Sequence, residues 1–346
     1  MEPIRVFVID DSAIVREILT NHLGQEGQIE VVGTAVDPLV ARDKLAKVKA
    51  DVIVLDIEMP RMDGLTFLRH LMRQHPMPVI VMSSVADRGN RAGIEALELG
   101  AVDIVTKPGG PFSVEDVLER LAEAVVTAAR VDHHRFTSPS VAPAPAERPR
   151  TLTQIRTTNR LIAMGASTGG TQAYEAVFRR LPVDIPPILA VIHMPPGFTR
   201  SFADRLNDLC VPTVREARDG EPIVAGTIYI APGDWHMAVR SSGAQRSIKL
   251  VQGPRVWNQR PAVDILFRSV AENLGRNAVG VLMTGMGRDG AAGLLQMKQA
   301  GAATVCQDEE SCIVFGMPKE AILLGAADQV VSLDAIPEAM LQAANR

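Results

Sequence analysis

A serine set among small residues, Gly165-Ala166-Ser167-Thr168-Gly169-Gly170, follows the apolar run Leu161 to Met164. In this G-x-S-x-G pattern a strand ends in a sharp turn that exposes the hydroxyl at the head of the next helix, open to a substrate carbonyl. The same turn can instead cradle a phosphate or serve only as a bend after a strand. A serine nucleophile needs a base to take its proton and a third group to hold that base. The C-terminal half contains two histidines. His193 follows the apolar run Leu189 to Ile192 and opens a loop into a helix near Thr199, where a base would be presented. His236 closes Pro232-Gly233-Asp234-Trp235-His236, a turn entering a hairpin, where a packed or surface histidine is the simpler reading. For the third group, Asp289 lies in Thr284-Gly285-Met286-Gly287-Arg288-Asp289-Gly290, between the strand Val279 to Met283 and a helix near Ala291. It could instead cap that helix. Asp264, after Arg260-Pro261, competes but has the position of a first-turn dipole partner.

A second cluster lies far upstream. Asp10 and Asp11 close the first expected strand and Asp56 the third, with Ser83 ending the fourth and Lys107 the fifth. The carboxyl ends of parallel strands line the crevice where ligands bind. Acids gathered there repel one another, and Mg²⁺ suits a few carboxylates plus water. A hydroxyl and an ammonium complete a phosphoryl site in which Asp56 attacks phosphorus while Ser83 and Lys107 bind the acylphosphate oxygens. Singly, each Asp could be a cap or a solvated turn, as Asp11 with Ser12 could be before the first helix.

These residues must be positioned by two successive folds. From Val6 to Ala129, five short β-branched runs alternate with helical patterns, as expected of a parallel sheet covered on both faces. Ser113 with Asp116 supplies a capping signal for the last helix. Between Val131 and Thr153 the periodicity stops, and four prolines appear among Ser, Ala and Arg residues. As a flexible chain this stretch spans roughly 25–30 Å; the alternative is an ordered strap. The alternation restarts at Leu161, with strands at Ile188 to Ile192, Val279 to Met283 and Thr304 to Cys306. Thr227 to Ile230, Met237 to Val239 and Ile248 to Val251 are close enough to include antiparallel hairpin pairing. The expected boundaries are 1–130, a linker at 131–153, and a mostly parallel α/β domain at 154–346.

Length supports two domains, each with its own core: the chain has 346 residues, 47% of them hydrophobic. A net charge of −4 and no visible basic patch give no pull toward nucleic acid or anionic membrane. Three cysteines, Cys210, Cys306 and Cys312, fit neither a zinc site nor a disulfide framework, which suggests a reducing compartment. With no signal sequence at the N-terminus and no membrane-length apolar run, a soluble cytoplasmic protein without membrane insertion is expected.

The N-terminal segment, about Ile4 to Ala129, resembles the receiver domain of two-component response regulators at Asp10, Asp11, Asp56, Ser83 and Lys107-Pro108. The resemblance implies a (βα)5 fold, Mg²⁺ at Asp10, Asp11 and Asp56 with the Glu58 carbonyl, a cis Lys107-Pro108 bond, and phosphorylation of Asp56 by a histidine kinase. One position departs: Ile104 stands where receivers carry an aromatic switch residue, so an aromatic rotamer swing cannot be the signal. In the C-terminal part, Gly165 to Gly170, His193 to Thr199, Arg260 to Asp264, Thr284 to Gly290 and Phe315-Gly316-Met317-Pro318 resemble the catalytic domain of the chemotaxis protein-glutamate methylesterases. The order Ser, His, Asp argues against the α/β-hydrolases, which run Ser, Asp/Glu, His.

This second resemblance implies a doubly wound, mostly parallel α/β domain that hydrolyses glutamate γ-methyl esters on chemoreceptors, releasing methanol, and deamidates glutamines. By position, Ser167 is then the nucleophile, His193 the base and Asp289 the orienting carboxylate, with no cofactor in the esterase site. Thr168 and Met286 line it, and amides near Gly169 and Met286 serve as oxyanion donors. The unphosphorylated receiver is expected to cover Ser167 and to loosen on phosphorylation, the signal passing through backbone or loop movement near 83–88. A DNA-binding output is disfavoured because the second half is too long and strand-rich. A regulator with a decayed site and a small-molecule esterase carrying a receiver are the other readings.

Overall fold

The computed structural model describes residues 2–131 and 160–345, except 26, 60–62, 85, 108–112 and 244. The proline-rich stretch, the Lys107-Pro108 bond and part of 83–88 therefore lie outside the described residues. The chain divides into two compact units, 1–142 and 143–346.

The first unit is a five-stranded parallel sheet in the order β2-β1-β3-β4-β5. Its strands are β1 (Ile4–Ile9), β2 (Ile29–Ala35), β3 (Val52–Asp56), β4 (Val79–Ser83) and β5 (Asp103–Thr106), each followed by a helix. Every residue of β3 and β4 is buried, which is why these runs are continuously apolar rather than alternating. Side-chain caps set several helix starts: Asp37 accepts from Val40 N–H at 2.9 Å, Asp63 from Thr66 N–H at 2.7 Å and Ser113 from Asp116 N–H at 3.1 Å. At the first helix Ser12, rather than Asp11, reaches the Val15 amide. Ile104 is buried in β5, where it pairs with Val81 of β4.

The second unit holds a seven-stranded sheet in the order β14-β13-β12-β6-β7-β9-β8, parallel throughout. The strands are β6 (Leu161–Ala166), β7 (Ile188–Ile192), β8 (Thr213–Glu216), β9 (Thr227–Ile230), β12 (Ala278–Leu282), β13 (Ala303–Gln307) and β14 (Gln329–Val331). A separate antiparallel hairpin, β10 (His236–Ser242) with β11 (Gln245–Val251), packs on the helix Val263–Leu274. The hairpin expectation thus holds for two of its three segments. Thr227–Ile230 instead pairs in parallel with β7 and β8, and all four of its residues are buried. A strand covered on both faces belongs to a parallel interior.

The chain runs from β6 to β7 on one side and later returns to β12 on the other, so strand order reverses at β6. In open α/β sheets ligands bind at such a reversal, beyond the carboxyl ends of the strands. The helix that follows β6, Gly170–Phe178, is fixed from behind by Tyr174. Its ring is buried against Phe178 at 5.0 Å, and its hydroxyl donates to Val191 O of β7 at 2.8 Å.

Candidate active site

Ser167 follows β6, His193 follows β7 and Asp289 lies in the loop after β12, so three neighbouring central strands deliver them to one sheet edge. The serine turn is tied to the β12 loop by backbone: Ser167 N–H donates to Thr284 O at 2.9 Å, and Thr284 Oγ1 donates to Thr168 O at 2.9 Å. Thr284 N–H is in turn held by Gln307 Oε1 at 2.8 Å. Two glycines are required by this packing. Gly169 has φ +78°, a backbone that side chains rarely adopt, and a Cβ on Gly285 would stand 2.8 Å from the Ser167 Cβ. Gly170 N–H turns back to Ser167 O at 2.6 Å, which removes it as an outward donor.

His193 and Asp289 form a buried pair: His193 Nε2 lies 2.8 Å from Asp289 Oδ2, and both side chains are 2% exposed. The Asp289 carboxylate also accepts Val263 N–H at 2.6 Å through Oδ2 and Asp264 N–H at 2.9 Å through Oδ1. It therefore caps the helix Val263–Leu274 and not the one beginning at Ala291, which starts on Gly290 with φ +85°. The amides and the positive end of the helix dipole stabilise the buried negative charge. With Nε2 donating to Asp289, Nδ1 of His193 is the nitrogen left to accept a proton. The Ser167 hydroxyl, 8% exposed by residue, has no hydrogen-bond partner among the described residues. Catalytic hydrogen bonds commonly close only once substrate is bound.

The competitors are occupied elsewhere. Asp264 accepts Trp257 Nε1–H at 2.9 Å and Gly293 N–H at 2.6 Å, so it caps the helix Ala291–Gln299 while Asp289 caps the helix Val263–Leu274 that carries Asp264. His236 is buried with both ring nitrogens engaged by backbone, Pro254 O at 2.9 Å and Ala262 N–H at 3.2 Å. The loop carrying His193 is fixed by Thr199, whose hydroxyl donates to Glu216 Oε1 at 2.6 Å and accepts Gly233 N–H at 3.0 Å.

In the first unit, single carboxylate oxygens of Asp10, Asp11 and Asp56 lie within 4.8 Å of one another. Asp10 Oδ1 accepts Ser12 N–H at 2.8 Å, while its Oδ2 is buried with no hydrogen-bond partner. A buried acceptor without a donor is destabilising, and an all-oxygen anionic set of this size fits Mg²⁺. Burial, followed by the charge of Asp56, pushes the Asp10 carboxyl up to about 6. Burial also raises Asp56, opposed by Lys107, whose Nζ stands 2.7 Å from Asp56 Oδ2. Ser83 is buried at the end of the neighbouring β4. The Glu58 carboxylate is engaged by Ser84, accepting its hydroxyl at 2.7 Å and its amide at 3.2 Å.

Comparison with known proteins agrees with this division. A family model described as CheB methylesterase matches residues 162–340, and one described as response regulator receiver domain matches residues 6–121. The protein-glutamate methylesterase/protein-glutamine glutaminase 2 of Syntrophus aciditrophicus is 52% identical over 342 residues, covering 99% of both chains. The protein-glutamate methylesterase/protein-glutamine glutaminase of Escherichia coli K12 is 51% identical over 345 residues, covering 99% of this chain and 97% of that one. The crystal structure of the Thermotoga maritima CheB methylesterase catalytic domain superposes with a TM-score of 0.52 at 40% identity, over 53% of this chain and 97% of that one. Receiver fold, acidic cluster, serine turn and near full-length likeness coincide, and the chain belongs to the CheB family of chemotaxis response regulators, a receiver joined to a methylesterase domain.

Proposed function

We propose that this chain hydrolyses glutamate γ-methyl esters, and deamidates glutamines, on methyl-accepting chemoreceptors, under control of phosphorylation at Asp56 by a chemotaxis histidine kinase. The buried His193 to Asp289 bond of 2.8 Å beside the Ser167 turn carries the reading. Ser167 Oγ attacks the γ-carbonyl carbon as its proton passes to Nδ1 of His193, and the carbonyl oxygen becomes an oxyanion. The Gly169 amide at the helix start and backbone near Met286 are the donors assigned to that oxyanion. Collapse breaks the C–O bond of the ester, or the C–N bond of glutamine, as His193 gives its proton to the leaving oxygen or nitrogen, releasing methanol or ammonia. Water, deprotonated by His193, then cleaves the acyl-serine to give the free carboxylate and regenerate Ser167. Asp289 holds the ring in one tautomer and stabilises the imidazolium formed in each half-reaction.

At the receiver, Mg²⁺ supplies positive charge for the phosphoryl oxygens when bound. Asp10, Asp11 and Asp56, with the Glu58 carbonyl, would hold it. Asp56 is the phosphoacceptor, and Lys107, already paired with it, stays to neutralise the acylphosphate with Ser83 as hydroxyl donor. The working place is the cytoplasm, on the cytoplasmic helices of receptors. Among the described residues no helix is long and apolar enough to cross a membrane, and all three cysteines are free thiols.

The test compares methylated receptor with a simple aryl ester, each with the parent chain and Ser167→Ala. Receptor hydrolysis that vanishes in the variant while Asp56 still takes phosphoryl groups supports the proposal. Turnover of the aryl ester alone marks a small-molecule esterase, and full activity in Ser167→Ala removes this serine as nucleophile.

A further inference from the structure

We infer that His236 is a positioning residue for the esterase site: as a neutral imidazole it fixes the amide run 262–264 that holds Asp289. The inference rests on the assignment of Ser167, His193 and Asp289 above. His236 opens β10 and is 3% exposed. Its Nε2 lies 2.9 Å from Pro254 O, a group that can only accept, so Nε2 carries the proton. Its Nδ1 accepts Ala262 N–H at 3.2 Å, so Nδ1 carries none. Together the two bonds specify one neutral tautomer.

The consequence lies in the next two residues. Ala262, Val263 and Asp264 point three successive N–H groups at side chains: the first to His236, the second and third to Asp289. Ala262 stands at the N-cap of the helix Val263–Leu274 and has no side chain to set the helix start. His236 supplies from the hairpin the acceptor for the N-cap amide that, in a capping box, the N3 side chain supplies locally. If that acceptor is lost, the buried Ala262 N–H is left unsatisfied, and relief requires the peptide plane to rotate. Rotation there moves the Val263 and Asp264 amides, therefore Asp289, and through the 2.8 Å bond the ring of His193. Arg260 anchors the same segment, with Nε 2.9 Å from Asp234 Oδ1 and Nη1 2.7 Å from Gly253 O, but it does not touch the amide run. His236 thus links the β10–β11 hairpin, through the Ala262 amide, to the run that holds the catalytic carboxylate.

Two substitutions separate the ring's two bonds. Asn Oδ1 sits two bonds beyond Cβ, as Nδ1 does, so His236→Asn keeps an acceptor for Ala262 N–H. Gln Nε2 sits three bonds beyond Cβ, as the imidazole Nε2 does, so His236→Gln keeps the donor to Pro254 O and loses the acceptor. Receptor methyl-ester hydrolysis is measured on the full-length chain for both, with ring ¹⁵N shifts of the parent recording the His236 tautomer. The expected result is a neutral Nε2–H ring, kcat within about 3-fold of the parent for Asn, and kcat lowered on the order of 10²-fold for Gln with KM within about 2-fold, as for misplacement of a catalytic group by about 1 Å. Equal kcat in the two variants, a rise in KM with kcat unchanged, or an Nδ1–H or charged ring at the assay pH overturns the inference. Should His236→Gln fail to fold, the Asn variant and the ring tautomer still decide. Ser167→Ala run alongside separates this outcome from failure of the site assignment, because activity surviving in that control indicts the nucleophile and not His236.

Discussion

Asp10 is held in the receiver at a cost that can be measured. Burial and the neighbouring Asp56 move its carboxyl from an ordinary 3.8 to about 6. The folded receiver then keeps a proton that the unfolded chain has released, so the Asp10 contribution to stability is most favourable at acid pH and falls as pH rises from about 4 through 6. At about 1.4 kcal/mol per pH unit the loss reaches about 3 kcal/mol at pH 8 and about half of that at pH 5. Asp10→Asn resembles the protonated carboxyl: it keeps an acceptor for Ser12 N–H and turns an N–H toward Asp56. In EDTA the variant receiver should therefore be more stable than the parent by about 3 kcal/mol at pH 8, or roughly 9–15 °C in the receiver's melting transition, and by about half as much at pH 5. Adding Mg²⁺ should stabilise the parent and leave the variant nearly unchanged, since it lacks one of the three carboxylates. Calorimetry of the full-length chain at the two pH values, with EDTA and with Mg²⁺, reads all four conditions. A variant no more stable than the parent at pH 8 without metal, or a gain equal at both pH values, refutes the reasoning.

Asp289→Asn should lower kcat by about 10⁴-fold with little change in KM, because the amide cannot hold His193 in the required tautomer or stabilise its cation. Steady-state kinetics on methylated receptor check it, and a larger loss in Asp264→Asn would transfer the third role to Asp264. Asp264→Ala should instead destabilise the second unit by about 1–3 kcal/mol, since it strands Trp257 Nε1–H and Gly293 N–H, as a shift in denaturant midpoint would record. Tyr174→Phe removes the bond to Val191 O and should cost about 1–2 kcal/mol with KM unaltered. Deleting residues before about Leu152 should raise basal esterase activity and make it indifferent to phosphodonor. A truncated chain no faster than the unphosphorylated parent would exclude inhibition by covering.

Much of the fold is legible because buried parallel strands write themselves as apolar runs and their ends carry the polar residues. Asp10, Asp56, Ser83 and Lys107 follow this rule in the first unit, and Ser167 and His193 in the second. The nearness of Thr227–Ile230 to β10 suggests hairpin pairing, yet its four buried residues are the pattern of an interior strand. β8 and β14 are short and partly exposed edge strands whose few apolar residues leave no legible strand pattern in the sequence. The crossed capping of Asp264 and Asp289 joins residues some 25 positions apart, whereas capping rules read only the next turn. His236 is opaque for a related reason: its partners are backbone atoms of Pro254 and Ala262, which no side-chain pattern reveals. The Thr284 to Gln307 bond under the serine turn is hidden in the same way.

The central claim is that one chain joins an Asp56 phosphoryl switch to a Ser167 methylesterase. Methanol release from methylated receptor membranes, followed with full-length protein in Mg²⁺ with and without a small-molecule phosphodonor, tests both halves at once. Parent protein should release methanol and do so faster with the phosphodonor. Asp56→Asn should keep the basal rate without the increase, and Ser167→Ala should release none. Methanol release that persists in Ser167→Ala, or stimulation by phosphodonor that survives Asp56→Asn, would contradict the account.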